Sequence, residues 1–483
     1  METGKVYASL LILLLFLFTF FLHLHFDPND TDLWLHLVAG KVITETRSLP
    51  RADILTFTRQ GEPWSLHEWG YQLFAYSLYS LFGLLGLLIF KSLAITIALL
   101  LLFFLLPKNL YLRIIVTLTV SLLLLRFSSI RPQLFSWIFL LVLLHLLHSL
   151  PLLKQEKYIY FPLLFFIWGN LHPLHLLGLL MVAFYTIEHF WKTRNYSFIL
   201  ILLLSAAASV LNPLGFRVFL LPFTITSSFI NEWQPFSPQG IFFYIYIIFV
   251  LFGSYLFFSR KKISRFSFAD ICCSLLFAAL GFISRRHVAL AFLILTPLFL
   301  RDISFSETSF FHMRTFRKDF FFILFLLLSL LSILFISNFF VNTPFPWGTL
   351  PQKEVELIKR YDIQGNIFND YGYGAYLEFW LYSHNLMYID SRAETMGSSL
   401  LQEYHALGKE KKDTFFQVLD KNHITLVIVR HEMGLTNLLL NNKAWKPLFL
   451  DAAHASFVRI SPATEQVPSF DVINSGFVQR RSS

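Results

Sequence analysis

The chain carries little charge: only 14% of its 483 residues are Asp, Glu, Lys or Arg, against roughly a quarter in soluble proteins. A surface so poor in charge excludes a water-soluble enzyme. Cysteine is scarcer still. Cys272 and Cys273 are adjacent in an apolar run, where helical geometry holds their side chains apart and disfavours a bridge, so they say nothing about compartment. No His-Glu-x-x-His spacing occurs, and with it goes the strongest sequence signal for a catalytic metal.

Apolar sequence is abundant instead. Hydrophobic residues make up 55% of the chain, with 57 Phe and 10 Trp. Many sit in runs such as Leu10 to Leu22, Leu84 to Leu106 and Phe320 to Phe340, near the roughly 20 residues that cross a bilayer. The pattern is that of a polytopic α-helical membrane protein. Polar breaks divide it into roughly eleven spans, centred near residues 15, 95, 118, 141, 164, 183, 204, 248, 276, 293 and 330. The first follows Lys5 and lacks a small-residue cleavage site, so it reads as a retained helix and not a signal peptide. His145 and His148 lie deep in a span with no carboxylate nearby in sequence and read as packing residues.

The 39 Lys and Arg against 30 Asp and Glu leave a net charge of +9. From Asn342 onward the two counts are 14 and 15, so the excess lies in the membrane part and no nucleic-acid partner is expected. With the N-terminus inside, cytoplasmic loops hold Lys108 and Arg113, Lys154 and Lys157, Lys192 and Arg194, Arg260 to Arg265, and Arg314 to Lys318, as the positive-inside rule requires. Two polar regions then face outward: the loop from Asp27 to about Trp69, and the segment from Asn342 to Ser483. The expected organisation is a membrane domain over 1–341 that carries the outer loop 27–69, and a small extracytoplasmic α/β domain over 342–483. Strands are predicted at Leu386 to Ile389, Thr425 to Val429 and Ala455 to Ile460, and helices at Leu400 to Leu419 and Leu435 to Leu440.

Three outward turns depart from the charge rule, carrying Arg126 and Arg131, then Arg217, then Arg285 and Arg286 with His287. Arginines so placed need a partner: a lipid phosphate, which guanidinium binds bidentately, the headgroup region, or an internal carboxylate. The first outer loop supplies acids, in Asp27-Pro-Asn-Asp30-Thr-Asp32-Leu-Trp34-Leu-His36, Pro50-Arg-Ala-Asp53 and Gly61-Glu-Pro-Trp64-Ser-Leu-His67-Glu68-Trp69. Asp30 can cap a helix starting at Thr31, which puts Asp32 and His36 on one face. A carboxylate there can act as a base or a metal ligand, or remain a cap and a solvated charge. Asp32, His36, His67 and Glu68 form a candidate set for a divalent cation, Mg or Mn. An amphipathic stretch from Tyr71 to Leu81 follows, expected along the membrane interface.

Trp168-Gly-Asn170-Leu-His172 and Leu211-Asn212-Pro213-Leu-Gly215 fall at outward ends of spans, where they either line a cavity or end helices. Glu232-Trp233, also outward, reads the same way. In the tail, Asn369-Asp370-Tyr371-Gly372-Tyr373-Gly374 and Asp390-Ser-Arg392 are polar clusters that either face a site or form turns.

An acidic first outer loop after the first span, with Asp30-Thr-Asp32, Gly40, Gly61, His67-Glu68-Trp69 and Phe82-Gly83 in order, then many spans and an outer C-terminal domain, resembles the GT-C superfamily of polytopic glycosyltransferases. Together with Arg131-Pro132-Gln133, Asn170-Leu-His172, Asn212-Pro213 and Arg285-Arg286, the pattern is similar to a group of bacterial GT-C-like membrane proteins over most of the chain. The resemblance implies a polyprenyl-phosphate-linked sugar donor, an active site on the outer face of the inner membrane, and Asp30 or Asp32 in the catalytic role. Asn369-Asp370-Tyr371-Gly372-Tyr373-Gly374 is similar to the Trp-Trp-Asp-Tyr-Gly motif by which oligosaccharyltransferase catalytic subunits grip acceptor peptides, without its two tryptophans.

The expected function is transfer of a sugar from that donor to a glycan, lipid or protein acceptor. Asp30, Asp32 and Glu68 are the expected catalytic residues. His36, His67, Arg131, Asn170, His172, Arg285, Arg286, Asp370 and Tyr371 are expected to bind substrate. A ligase or polymerase moving whole oligosaccharides, a non-enzymatic transporter of lipid-linked glycans, and an assembly protein are the rival readings.

Overall fold

The computed structural model describes residues 2–26, 30–149, 155–221, 231–236, 238, 240–259, 267–301, 350–407 and 412–470. In chain order these form α1 (Glu2–Leu22), α2 (Asp32–Thr46), α3 (Trp69–Leu105), α4 (Leu110–Leu124), α5 (Gln133–Ser149), α6 (Tyr160–Leu171), α7 (His175–Thr193), α8 (Ser197–Ser209), α9 (Ile241–Ser259), α10 (Phe268–Ile283) and α11 (Val288–Leu300). The remainder are α12 (Gln352–Arg360), β1 (Asn366–Asn369), α13 (Gly374–Leu381), α14 (Ala393–Leu407), α15 (Lys412–Lys421), β2 (Ile424–Arg430), α16 (Leu435–Leu440), β3 (Trp445–Leu450) and β4 (His454–Arg459).

Every expected span centre up to residue 293 falls inside one of these helices; the centre near 330 lies outside the described residues, as do Lys154, Arg260 to Arg265 and Arg314 to Lys318. By length and composition, three described helices are long and apolar enough to cross a membrane: Trp69–Leu105, Leu110–Phe127 and Ile241–Ser259. Shorter apolar helices accompany them, among them Val6–Leu22, Gln133–Ser149, Ser197–Ser209 and Phe268–Ile283.

The chain divides into two compact units, Met1–Phe26 with Leu81–Pro222 and Ser228–Thr343, and Asp27–Ser80 with Phe223–Ser227 and Pro344–Ser483. In the first unit α11 is apolar all round and every residue from Val288 to Phe299 is buried, as a helix without a polar face must be. Trp137, Phe161, Trp168 and Phe292 pack in the same core. Leu203, Ile248, Leu251 and Leu275 point outward and are exposed, a surface suited to hydrocarbon and costly in water. His148, read from sequence as a packing residue, instead joins a polar cluster. Its Nε2 lies 3.0 Å from the Tyr185 hydroxyl and 2.7 Å from an Arg301 guanidinium nitrogen, and Arg301 donates to Asp270 Oδ2 at 2.7 Å. The carboxylate absent from the local sequence arrives from α10.

The second unit joins the loop 27–69, expected as part of the membrane domain, to the tail, whose segment of this unit begins at Pro344, beside the expected boundary at 341. A four-stranded sheet runs β1-β2-β4-β3, with β1 and β2 parallel and the remaining pairs antiparallel. Leu386 to Ile389 is not a strand of this sheet. Met387 makes isolated parallel bridges to Ile367 and to Thr56 of the loop, while β1 and β3 fall where no strand was predicted. Between β1 and β2 the chain crosses over through α13, α14 and α15; the helix expected over Leu400 to Leu419 falls in α14 and α15, with 408–411 outside the described residues.

On the loop side, Trp34 of α2 is buried edge-on against Tyr376, 4.8 Å between ring centroids. Lys41 donates to the Phe379 carbonyl at 3.1 Å. These contacts, made on burial of a large aromatic, hold the loop to the tail. The amphipathic stretch Tyr71 to Leu81 is the first part of α3, and the helix breaks at Gly83, whose φ of 63° no residue with a side chain adopts cheaply.

Candidate active site

In the first unit, four chain turns bring polar residues together. α6 ends because His172 is extended, with φ −162°, ahead of Pro173. α10 ends at extended Ser284 and passes into a short 3₁₀ turn, Arg285–His287. Arg131, in the turn before α5, pairs with Glu232 at 2.7 Å. Ser284 donates its hydroxyl to the Glu232 carbonyl at 3.0 Å, which fixes the Glu232 turn to the arginine turn.

Arg285 donates its backbone N–H to the Gln234 carbonyl and its Nε to the Pro235 carbonyl, both at 3.1 Å, with its guanidinium over Phe236. Arg286 lies over the Trp233 ring, and one of its terminal nitrogens is 3.5 Å from His172 Nε2. His172 Nδ1 is 2.8 Å from Ser136 Oγ, which also accepts from Trp168 Nε1 at 2.7 Å. An N–H on His172 Nδ1 that donates to Ser136 leaves Nε2 as an acceptor toward Arg286, so the imidazole orients that guanidinium without opposing its charge. Burial, with Arg286 beside it, lowers the His287 pKa to about 4, so this third member of the run is neutral at pH 7.

Among the described residues Arg285 and Arg286 meet carbonyl oxygens, aromatic faces and an imidazole, but no carboxylate. Such a pair has its charge in hand for an anion, and phosphate fits guanidinium bidentately. Two other residues differ from expectation. Arg131 is neutralised by Glu232 and not held ready for a donor phosphate. The Asn170 side-chain nitrogen donates to the carbonyls of Phe166, at 2.8 Å, and Leu211, at 3.0 Å. It therefore ties the last turn of α6 to the chain just beyond α8.

In the second unit, α2 begins at Asp32; Thr31 is the cap position and makes no side-chain capping bond. Asp30 is therefore not the cap expected of it, and it is buried. Asp32 sits in the first turn, where the helix dipole favours a negative charge. One turn on, His36 is buried edge-on to Tyr71. Glu68 lies between two imidazoles, 3.8 Å from His36 Nδ1 and 3.7 Å from His67 Nε2. Among the described residues no group of three or more His, Cys, Asp and Glu is arranged to hold a metal ion.

The carboxyl ends of the parallel strands β1 and β2, the edge where open α/β sheets bind ligands, carry Asp370-Tyr371-Gly372 and Arg430. Asp370 Oδ1 accepts the Gly372 N–H at 2.9 Å and lies 3.5 Å from Arg430 Nε. A Cβ on Gly372 would stand 2.8 Å from an Arg430 guanidinium nitrogen and 3.5 Å from the Thr31 methyl. The glycine is there for close approach, and the acidic loop segment meets this edge of the sheet. Tyr371 is engaged within the unit: its N–H donates to the Tyr404 hydroxyl at 2.9 Å. Arg430 was missed by sequence reasoning; a basic residue closing a strand beside a turn motif is the only local signal for it.

Asp390-Ser-Arg392 forms a turn, with the Arg392 N–H donating to Asp390 Oδ1 at 2.7 Å. Arg392 is buried, donating to Asp390 Oδ2 at 2.8 Å and to Asp53 Oδ1 of the loop at 2.7 Å, beneath the Trp64 ring. Glu378, also buried, receives no hydrogen bond from any described donor. Burial and the neighbouring Asp390 hold its carboxyl well above the usual range, so it carries a proton that it can donate to Asp390.

No protein-family model matches the chain, and no curated protein matches it in sequence. Among solved structures the chain is similar to mycobacterial arabinofuranosyltransferase AftD, a GT-C glycosyltransferase seen by single-particle cryo-EM, at TM-score 0.50 and 14% identity. The match covers 95% of this chain and 40% of that one. At that identity the likeness is one of fold.

Proposed function

We propose that the chain is an inverting membrane glycosyltransferase that moves a sugar from a polyprenyl-phosphate-linked donor to a glycan, lipid or protein acceptor on the outer face of a bacterial inner membrane. The observation that carries this reading is the Arg285 and Arg286 pair, held on one 3₁₀ turn by carbonyls and rings with no described carboxylate against it. The fold shared with a membrane arabinofuranosyltransferase supports it.

Asp32, with Asp30 next to it, takes the proton of the acceptor hydroxyl. The acceptor oxygen bonds to the anomeric carbon as the bond from that carbon to the phosphate oxygen breaks. Polyprenyl phosphate leaves with the bonding electrons, and its growing charge is what Arg285 and Arg286 stabilise. Within the second unit Glu68 lies between His36 and His67, and Gly372 approaches Thr31.

Asp32→Asn should lower transfer by about 10²–10⁴-fold while insertion and abundance stay unchanged; full transfer by this variant would remove Asp32 from the mechanism. Mass analysis of the glycan in a deletion strain separates the two enzymatic readings: loss of one residue supports single-sugar transfer, and loss of a polymer supports an oligosaccharide ligase.

A further inference from the structure

A second cationic feature in the first unit has no part in this chemistry. The ends of α3, α4 and α5 surround a cleft of about 700 Å³ lined by Leu101, Phe104, Lys108, Arg113 and His145. Arg113 is fixed: its Nε donates to the Pro107 carbonyl and a terminal nitrogen to the Leu106 carbonyl, each at 2.9 Å, and the guanidinium lies over Phe103. It thus closes the C-terminus of α3 and keeps its positive charge, since carbonyls neutralise nothing. Lys108 and His145 are exposed. Among the described residues no carboxylate pairs with Lys108, Arg113 or His145. The opposite wall is hydrocarbon, with Phe104 60% exposed beside Leu101.

We infer that this cleft holds an anionic phospholipid, its phosphate between Lys108, Arg113 and His145 and an acyl chain along Leu101 and Phe104. Charge complementarity selects the headgroup: each basic side chain near a membrane surface favours an anionic over a neutral lipid, and basic pockets between membrane helices take such headgroups. The apolar wall selects a lipid over a free anion, because a soluble phosphate gains nothing from Leu101 and Phe104. The expected cytoplasmic position of Lys108 and Arg113 puts the cleft at the leaflet where basic residues accumulate.

The test uses the full chain in nanodiscs with photoactivatable phosphatidylglycerol or phosphatidylcholine, the reactive group on the acyl chain, followed by peptide mapping. In the unaltered protein, phosphatidylglycerol should label the peptide spanning Leu101 to Arg113 about tenfold more than phosphatidylcholine does. Lys108→Gln with His145→Gln should erase that preference and leave labelling elsewhere unchanged, and Lys108→Arg should keep it. Arg113 is left in place because it closes a helix. Equal labelling by the two lipids, undiminished labelling in the double variant, or displacement of the label by millimolar inorganic phosphate would each overturn the inference.

Discussion

In the second unit one guanidinium, that of Arg392, is buried among Asp53, Asp390 and the protonated Glu378. In the first, Arg285 and Arg286 sit on a turn among carbonyls, rings and His172, with no described carboxylate. The chemistry of the side chain is identical; what differs is whether its charge is already matched. Arg392 joins Asp53 of the loop 27–69 to Asp390 of the tail, so its charge is consumed in holding two distant segments together. The charge at 285 and 286 is held in position by carbonyls, rings and an imidazole, and no described carboxylate matches it.

The sharpest way to break the comparison is to remove the matched cation. Arg392→Met leaves Asp53 and Asp390 buried without a counter-charge and should destabilise the second unit by about 3–5 kcal/mol, read as a lowered unfolding midpoint and early proteolysis within 350–470. An unchanged midpoint would mean that Arg392 does not join the segments. Arg131→Gln, which removes a partly exposed pair with Glu232, should cost only about 1 kcal/mol and should not weaken binding of a polyprenyl phosphate; a loss of binding would return Arg131 to the phosphate site.

The smallest effect is expected of Glu378→Gln. An amide replaces a carboxyl that already carries a proton, so the midpoint near pH 5 should move by less than about 1 kcal/mol. Its pH dependence carries the information. The folded carboxyl titrates above the ordinary 4.5, so in that window the folded state binds more protons than the unfolded one. This contribution is complete below about pH 4.5 and is lost as pH rises through the raised value. The glutamine variant should be flatter over the same range in thermal unfolding followed against pH, and a parallel pair of curves would show that Glu378 is ionised.

The sequence was legible where one residue type acts alone over a long stretch. Apolar runs marked the helices around every described span centre, and α16 falls on Leu435–Leu440 as predicted. Arginines against the charge rule located the turns at 131 and 285–287, which the fold brings to Glu232 and to His172 and Trp233 respectively. Long-range pairing was illegible, because local pattern carries no information about partners. Glu232 neutralises Arg131 across 101 positions of sequence and Asp53 meets Arg392 across 339, so a free cation could not be told from an ion pair, nor could the brace that the Asp390 turn carries be seen. β1 and β3 were missed for a related reason: Asn366 and Asn369 in one and Pro447 in the other depress strand propensity, and pairing with β2 and β4 overrides it.

The central claim is that Arg285 and Arg286 hold a phosphate carried on a polyprenyl chain. Titration of farnesyl phosphate into the full-length protein in detergent, with farnesol as the uncharged control, tests it most directly. The unaltered protein should bind farnesyl phosphate saturably and about tenfold or more tightly than Arg285→Gln with Arg286→Gln does, with farnesol indifferent to the change. Equal affinity of the two proteins for farnesyl phosphate would contradict it.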